Sequence, residues 1–281
     1  MGFVAVYFGT FIGRAFWDGG DMAVNIGSIS SGLSSAVACD RLLQAHPDAQ
    51  LVFMDTLFED EDNYRFLTDC ETKWDAKIVR LVEGRNPYEV SRAERVIPNS
   101  RVAPCTHRLK LEPFRDWLTR LPEATVYIGY DFTEMHRMDA TTRAYEALGY
   151  EVDYPLLWKP YEFRPYEQVV REWGIEPPRM YRMGYTHANC GGRCVKQGQG
   201  DWMRTLINFP DRFAECEEWE REMRKLSDNH ANYAICKRMR GDEIIPLTLQ
   251  QMREEYEKIG GRMDWCNLDE QSPCVVCGVG A

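Results

Sequence analysis

The chain has 281 residues, 44% of them hydrophobic, and a formal net charge of −10 from 34 basic and 44 acidic side chains. That length and composition suit one substantial α/β core with an appended subdomain and exclude a largely disordered chain. The negative balance excludes broad non-specific attachment to nucleic acid, leaving at most a local basic channel drawn from Arg80, Arg85, Arg92, Arg95, Arg101, Arg108, Lys110 and Arg115.

No apolar run approaches the roughly 20 residues that a bilayer-spanning helix needs, so no membrane segment is expected. The opening residues also lack the basic start and cleavage pattern of a secretory signal, and a cytoplasmic location is expected. In that compartment ten cysteines read as free thiols, metal ligands or redox groups rather than as a disulfide framework.

Residues 1–22 carry no assignable pattern and read as an N-terminal extension. Val24 to Ile29 is a short apolar strand that enters the run Ser30-Ser31-Gly32-Leu33-Ser34-Ser35, and Ser34 to Leu43 reads as a helix. Ala49 to Met54 forms a second strand ending at Asp55-Thr56. A helix over 61–78 then presents Tyr64, Phe66, Leu67, Trp74 and Ile78 to a core, and Ile78 to Val82 either finishes it or forms another strand. Asn86 to Asn99 is too mixed to assign. A helix near Thr106 to Leu121 follows Pro104, Thr125 to Gly129 is a strand, and Ala140 to Leu148 is a helix. This alternation predicts a parallel sheet covered on both faces, with ligands gathering beyond the carboxyl ends of the strands.

Beyond Tyr154 the pattern changes. Pro155, Pro160 and Pro165 mark a turn-rich stretch, Tyr166 to Trp173 is a helix, and two further helices are expected around Phe213 to Lys225 and Asn232 to Arg240. The domain reading is therefore an extension over 1–22, an α/β domain over 23–165, and a helical, cysteine-rich subdomain over 166–281.

The serine-rich turn is the strongest chemical signal. The first N–H groups of a helix have no partners within it, the helix dipole favours negative charge there, and the hydroxyls of Ser30, Ser31, Ser34 and Ser35 add short donors, with Gly32 permitting close approach. Two readings stand: a phosphate site, or a plain strand-to-helix connection capped by serine. The chain has neither GxGxxG nor GxxxxGK[ST] here, which removes the ordinary dinucleotide and Walker readings. Asp131 and Glu134 follow the strand ending at Gly129, where they would orient Mg²⁺ or a nucleotide or simply face solvent.

Cys190-x3-Cys194 and Cys274-x2-Cys277 are two close pairs whose four thiolates would hold an iron–sulfur cluster or structural Zn²⁺ if folding joined them; unligated thiols or a redox pair is the alternative. Cys39, Cys70, Cys216 and Cys236 fall in expected helices and read as core. Cys105, beside the nucleotide edge, reads as buried structure or as a catalytic thiol.

Three motifs carry a family resemblance: Ser30-Ser31-Gly32-Leu33-Ser34-Ser35; Asp55-Thr56-Leu57-Phe58 with Asn63-Tyr64-Arg65-Phe66; and Cys105-Thr106-His107-Arg108-Leu109-Lys110-Leu111-Glu112-Pro113-Phe114. In that order the chain resembles the phosphoadenosine-phosphosulfate (PAPS) reductase family of PP-loop adenine-nucleotide enzymes, over about residues 24–165. The segment Asn189 to Gly198 looks like that of phage and bacterial relatives. The resemblance implies a five-stranded, Rossmann-like nucleotide-binding fold. It implies that the phosphates of ATP or PAPS meet Ser30, Ser31, Gly32, Ser34 and Ser35, that Asp55 lies near ribose or adenine, and that Gly129 and Asp131 border the nucleotide. Ser34, Ser35, Cys105, Arg108 and Lys110 are then the candidate catalytic groups. Where the family turn carries two glycines and an aspartate, this chain has Ser31-Gly32-Leu33-Ser34-Ser35, which removes a carboxylate that would hold Mg²⁺.

The expected activity is adenylyl or sulfur transfer to a second substrate, with a sulfur donor or reductant protein as partner and a possible [4Fe–4S] cluster. Sulfonucleotide reduction and a non-catalytic nucleotide-binding role are the alternatives, and a nucleic-acid substrate is a further one.

Overall fold

The computed structural model describes residues 23–261 apart from 122, 161–162, 227–229, 231 and 241–242. The expected extension over 1–22 and the pair Cys274 and Cys277 lie outside the described residues.

In chain order the first half comprises β1 (Val24–Ile29), α1 (Leu33–Ala45), β2 (Gln50–Asp55), α2 (Glu61–Trp74), β3 (Ile78–Val82), α3 (Pro87–Glu94), a π-helical turn (Thr106–Leu111) running into α4 (Glu112–Leu118), β4 (Ala124–Ile128), α5 (Met135–Glu146) and β5 (Glu151–Asp153). The second half comprises α6 (Tyr166–Glu172), α7 (Arg179–Arg182), α8 (Gln199–Asn208), α9 (Pro210–Arg224), β6 (Cys236–Arg240), β7 (Glu243–Leu247) and α10 (Leu249–Lys258).

The first five strands form one parallel sheet in the order β3-β2-β1-β4-β5, so the expected parallel α/β sheet is present. Its strands are apolar on both faces because helices cover both. Ile29, Leu51, Phe53 and Ile78 meet Leu42 of α1 and Phe66 of α2 on one face. Ile26, Val52, Leu81 and Val126 meet Phe114 of α4 and Tyr145 of α5 on the other. The first core also takes in Val170 of α6 and Ile175.

Several element boundaries differ from the sequence expectation for local reasons. The helix expected over 61–78 stops at Trp74, because Asp75 adopts a left-handed conformation (φ 48°) and Ile78 begins β3. Asn86 caps α3 in a reciprocal capping box with Glu89, a helix the mixed composition concealed. The helix expected around Asn232 to Arg240 is corrected: Cys236–Arg240 is a strand, paired antiparallel with Glu243–Leu247. The β-branched Ile244 and Ile245 supply a cross-strand partner that a helical reading of the segment ignores, and Cys236 is thus a buried strand residue rather than a helical one. Cys39, Cys70 and Cys216 do lie buried in helices.

The C-terminal elements share a second core around Trp202, Phe213, Trp219, Met223 and Leu249. Within it the carboxylate of Glu220 accepts the amides of Ile235 and Leu249, each at 2.7 Å, and burial pushes its pKa up.

Asp60 joins the two halves. It caps α2 by accepting from the Asp62 amide (3.0 Å), and it pairs with Arg179 of α7 (2.8 Å) and Arg212 of α9 (2.7 Å) while wholly buried. Burial acts to raise its carboxyl pKa, and the two arginines outweigh it, holding the group below the usual carboxylate value. A folded pKa below the unfolded value of about 3.9 contributes stability that is complete above that pH and is lost as pH falls through the folded value. Asp60→Asn should therefore lower stability at pH 7 by about 3 kcal/mol, by leaving the arginines without their charge partner, and should flatten the acid limb below about pH 4. Urea unfolding at a series of pH values measures both effects.

Candidate functional site

The chain leaves β1 in one direction to build β2 and β3 and returns on the other side to build β4 and β5, so the order of connection reverses between β1 and β4. Open α/β sheets leave a crevice at that point, because the loops leaving the two strands turn to opposite faces. Here the loops are the serine turn after β1 and the Gly129 loop after β4.

The serine turn is built by its own hydroxyls. Ser31, not Gly32, takes the left-handed conformation (φ 60°), and its hydroxyl donates to the Ser30 carbonyl (2.5 Å). Gly32 is the extended residue that starts α1, with φ −91°. The Ser35 hydroxyl accepts the Ser30 amide (3.0 Å) and lies near the carbonyl of Gly32 (2.9 Å) and the hydroxyl of Ser30 (3.1 Å). Ser35 thus staples the turn. The Leu33 amide reaches the Tyr181 hydroxyl at 3.4 Å, whereas the amides of Ser34 and Ser35 have no acceptor among the described residues.

Gly129 completes the arrangement. A methyl group there would lie 2.7 Å from the Ser35 Cα and 3.0 Å from its amide nitrogen, so the exit of β4 rests directly on the first turn of α1. The result is a cleft of about 160 Å³ bordered by Ser30, Ser34, Ser35 and Gly129, by Thr106 and Lys110, and by the buried Arg137, Thr141 and Tyr145.

The π-helical turn decides which basic residue faces this cleft. Thr106 and Lys110, four apart, share its inner side, and Arg108, two from Lys110, points the other way. Arg108 is held outside by Glu94 and Glu112, each at 2.5 Å. Arg85 and Arg92 are likewise engaged, by Glu83 and Glu222, and do not join a basic channel with Arg108.

The expected carboxylates are also engaged. Asp55 accepts from the Leu57 amide (2.8 Å) and the Tyr64 hydroxyl (2.9 Å). Asp131 accepts from the Thr133 amide (2.8 Å) and hydroxyl (2.6 Å) and from the Tyr166 hydroxyl (2.9 Å). Glu134 pairs with Arg137, and burial pushes its pKa up. This donor set does not present the open pair of carboxylates that a protein-held Mg²⁺ takes. Of the residues expected at the nucleotide, Ser30, Ser34, Ser35, Gly129 and Lys110 border the cleft, whereas Ser31, Gly32, Asp55, Asp131 and Arg108 serve the framework around it.

The sequence reading missed Arg137, Thr141 and Tyr145. Their signal is the i, i+4, i+8 spacing on one buried face of α5, and starting that helix at Ala140 instead of Met135 hid it. Arg137 also donates to the Tyr130 hydroxyl (2.9 Å) and lies over that ring at 4.2 Å.

A second, smaller cavity of about 20 Å³ shares Thr106, Lys110 and Asn189 with the cleft as a common wall. Cys105, Cys190 and Cys194 all line it, together with Arg193 and Lys196. The cysteine turn has three successive positive φ values at Cys190, Gly191 and Gly192 (56°, 55° and 78°), a backbone that glycine tolerates and that turns Cys190 back toward β2. Buried Glu59, just beyond β2, anchors it by accepting the Cys190 amide (3.1 Å) and the Asn63 side chain (3.0 Å), and Asn63 also donates to the Ala188 carbonyl (3.0 Å). Burial raises the Glu59 pKa, with Lys110 opposing it. Arg193 lies 3.7 Å over the Phe58 ring. Among the described residues, no three Cys, His, Asp or Glu side chains come together as metal ligands. The cavity therefore gathers thiols without itself forming a metal site.

No family model matches the sequence, and no curated protein matches it. Among solved structures the chain is similar to phosphoadenylyl-sulfate (PAPS) reductase from Candida auris in its phosphate complex. The two are 16% identical, with a TM-score of 0.45, over 59% of this chain and 80% of that one.

Gly129→Ala should force the β4 exit and the first turn of α1 apart and lower unfolding free energy by about 1–3 kcal/mol, an overpacking cost. Chemical denaturation measures it; an unchanged stability would show that the contact yields without strain.

Proposed function

We propose that the cleft binds the phosphate groups of an adenine nucleotide and that the protein is a nucleotide-dependent transferase of the PAPS reductase-like, PP-loop type. The observation that carries this reading is the first turn of α1, which presents the amides of Ser34 and Ser35 at the reversal point of the sheet, in a cleft that Lys110 also borders. The order of the sequence motifs supports adenine as the base.

In this reading ATP lies with its phosphates over the Ser34 and Ser35 amides, and the hydroxyl of Ser34 adds a donor. An oxygen of the second substrate attacks the α-phosphorus, the bond to the bridging oxygen breaks, and pyrophosphate leaves. Lys110 and the helix amides offset the charge that grows on the departing oxygens. The Ser35 staple and Gly129 hold the turn that carries these amides.

A second reading rests on the thiol cavity. With PAPS in the cleft, a thiolate would attack the sulfur, the sulfur–oxygen bond to the nucleotide would break, and adenosine 3′,5′-bisphosphate would leave. Cys105, Cys190 and Cys194 stand across the Thr106–Lys110–Asn189 wall from the phosphates. A cluster or zinc site would require Cys274 and Cys277 to complete Cys190 and Cys194, and no step is assigned to it. Iron, labile sulfide and zinc analysis of anaerobically purified protein tests it: Cys190→Ala should lower the bound metal.

Titration calorimetry with ATP and with PAPS separates the basic residues. Lys110→Ala should weaken the preferred nucleotide by about 10- to 100-fold, the loss expected for a charge-assisted hydrogen bond. Arg108→Ala should change it by less than about twofold, as an exposed ion pair outside the cleft. Equal losses in the two variants, or none in Lys110→Ala, would refute the assignment.

A further inference from the structure

Exposed apolar side chains collect beside residues that border the cleft. Phe132 lies between Tyr130 and Glu134, both of which border the cleft, and is 41% exposed; Met135, next along, is 56% exposed. Phe163 approaches from the segment before α6 and stacks on Phe132, with ring centroids 5.5 Å apart and planes 26° from parallel, while remaining 82% exposed. An aromatic pair this open to water is unusual for a surface with no ligand, and contiguous exposed apolar area marks a contact site.

The size of the cleft indicates what fills that contact. Its 160 Å³ is well below the roughly 300–1,000 Å³ of sites that enclose a whole cofactor-sized ligand. A nucleotide held by its phosphates at the serine turn must extend out over the rim, and Asp55, the other residue expected near ribose or adenine, is already engaged by Leu57 and Tyr64. The rim offers a flat π-surface two residues from the cleft lining on either side. We infer that the Phe132–Phe163 pair is the platform on which the adenine ring of the bound nucleotide stacks. The inference rests on the serine turn being the phosphate site. It adds that the base is recognised by its π-face and not by hydrogen bonds to its edge, so that the platform contributes affinity with little discrimination among purines.

The test compares ligands with and without a base. Calorimetric titrations of the full chain use ATP, PAPS and GTP, with inorganic tripolyphosphate as the base-free probe, against Phe132→Ala, Phe163→Ala and Phe132→Trp, whose melting temperatures check the fold. Each alanine variant should bind the preferred adenine nucleotide about 10-fold more weakly, in line with the cost of removing one stacked aromatic. Phe132→Trp should restore the affinity, GTP should bind within a few-fold of ATP, and tripolyphosphate should bind every variant alike. Unchanged nucleotide affinity in both alanine variants would overturn the platform, as would a parallel loss for tripolyphosphate, which would mean that the loop and not the stack was at work. A wild-type chain that binds tripolyphosphate but no nucleotide more tightly would also overturn it. A wild-type chain that binds none of these ligands would bring down the phosphate site itself, and the platform with it.

Discussion

The cleft depends on one close approach, that of the backbone at Gly129 to the first turn of α1. Two parallel strands that diverge at their carboxyl ends leave a gap between their exit loops. Gly129 sets that gap by letting the β4 exit rest against Ser35 with no side chain between them. The serine turn is then pinned from within by the Ser35 hydroxyl, which contacts three groups of its own turn. The amides of Ser34 and Ser35 are left at the open end of a dipole, held rigidly by packing and not by a ligand.

The exit of β2 does the complementary work for the second half of the chain. Two adjacent carboxylates there have opposite surroundings. Glu59 is buried against amides and an asparagine and holds the cysteine turn, and Asp60 is buried against two guanidinium groups and holds α7 and α9. Because both contacts issue from one loop at the carboxyl edge of the sheet, the cysteine turn is delivered beside the cleft. Tyr181 adds a further tie, its hydroxyl meeting the Leu33 amide at the start of α1. The thiol cavity and the cleft thus share a wall through the packing of elements far apart in sequence.

Much of this was legible before any coordinates. The strand over Val24–Ile29 runs straight into turn residues and the serine turn announces its helix by composition alone, whereas Ile78–Val82 reads equally as a strand or as the end of a helix until its pairing with β2 is known. The less legible parts were those where direction mattered. Arg108 and Lys110 look equivalent in the chain, yet two residues along a helical turn point to opposite sides, so only Lys110 meets the cleft. Arg137, Thr141 and Tyr145 form a helical stripe that becomes visible once α5 is known to begin at Met135. Asp55 is placed near ribose or adenine by the family resemblance and Asp131 by its position after a strand; in the fold both accept hydrogen bonds from nearby amides and tyrosine hydroxyls, which sequence does not show.

Local sequence by itself determined the alternation of strands and helices, the helix that starts at the serine turn and the apolar setting of Cys39, Cys70 and Cys216, because hydrophobic period and turn chemistry act over a few residues; the order in which the strands pair is set by the tertiary structure. Only the tertiary structure decided that Cys105 shares a cavity with Cys190 and Cys194, that Arg108 lies outside, and that residues 236–240 form a strand. Those outcomes depend on what each segment meets in the fold: Asn189 and Lys196 share the cavity with Cys105, Glu94 pairs with Arg108, and the following segment Glu243–Leu247 folds back antiparallel on 236–240.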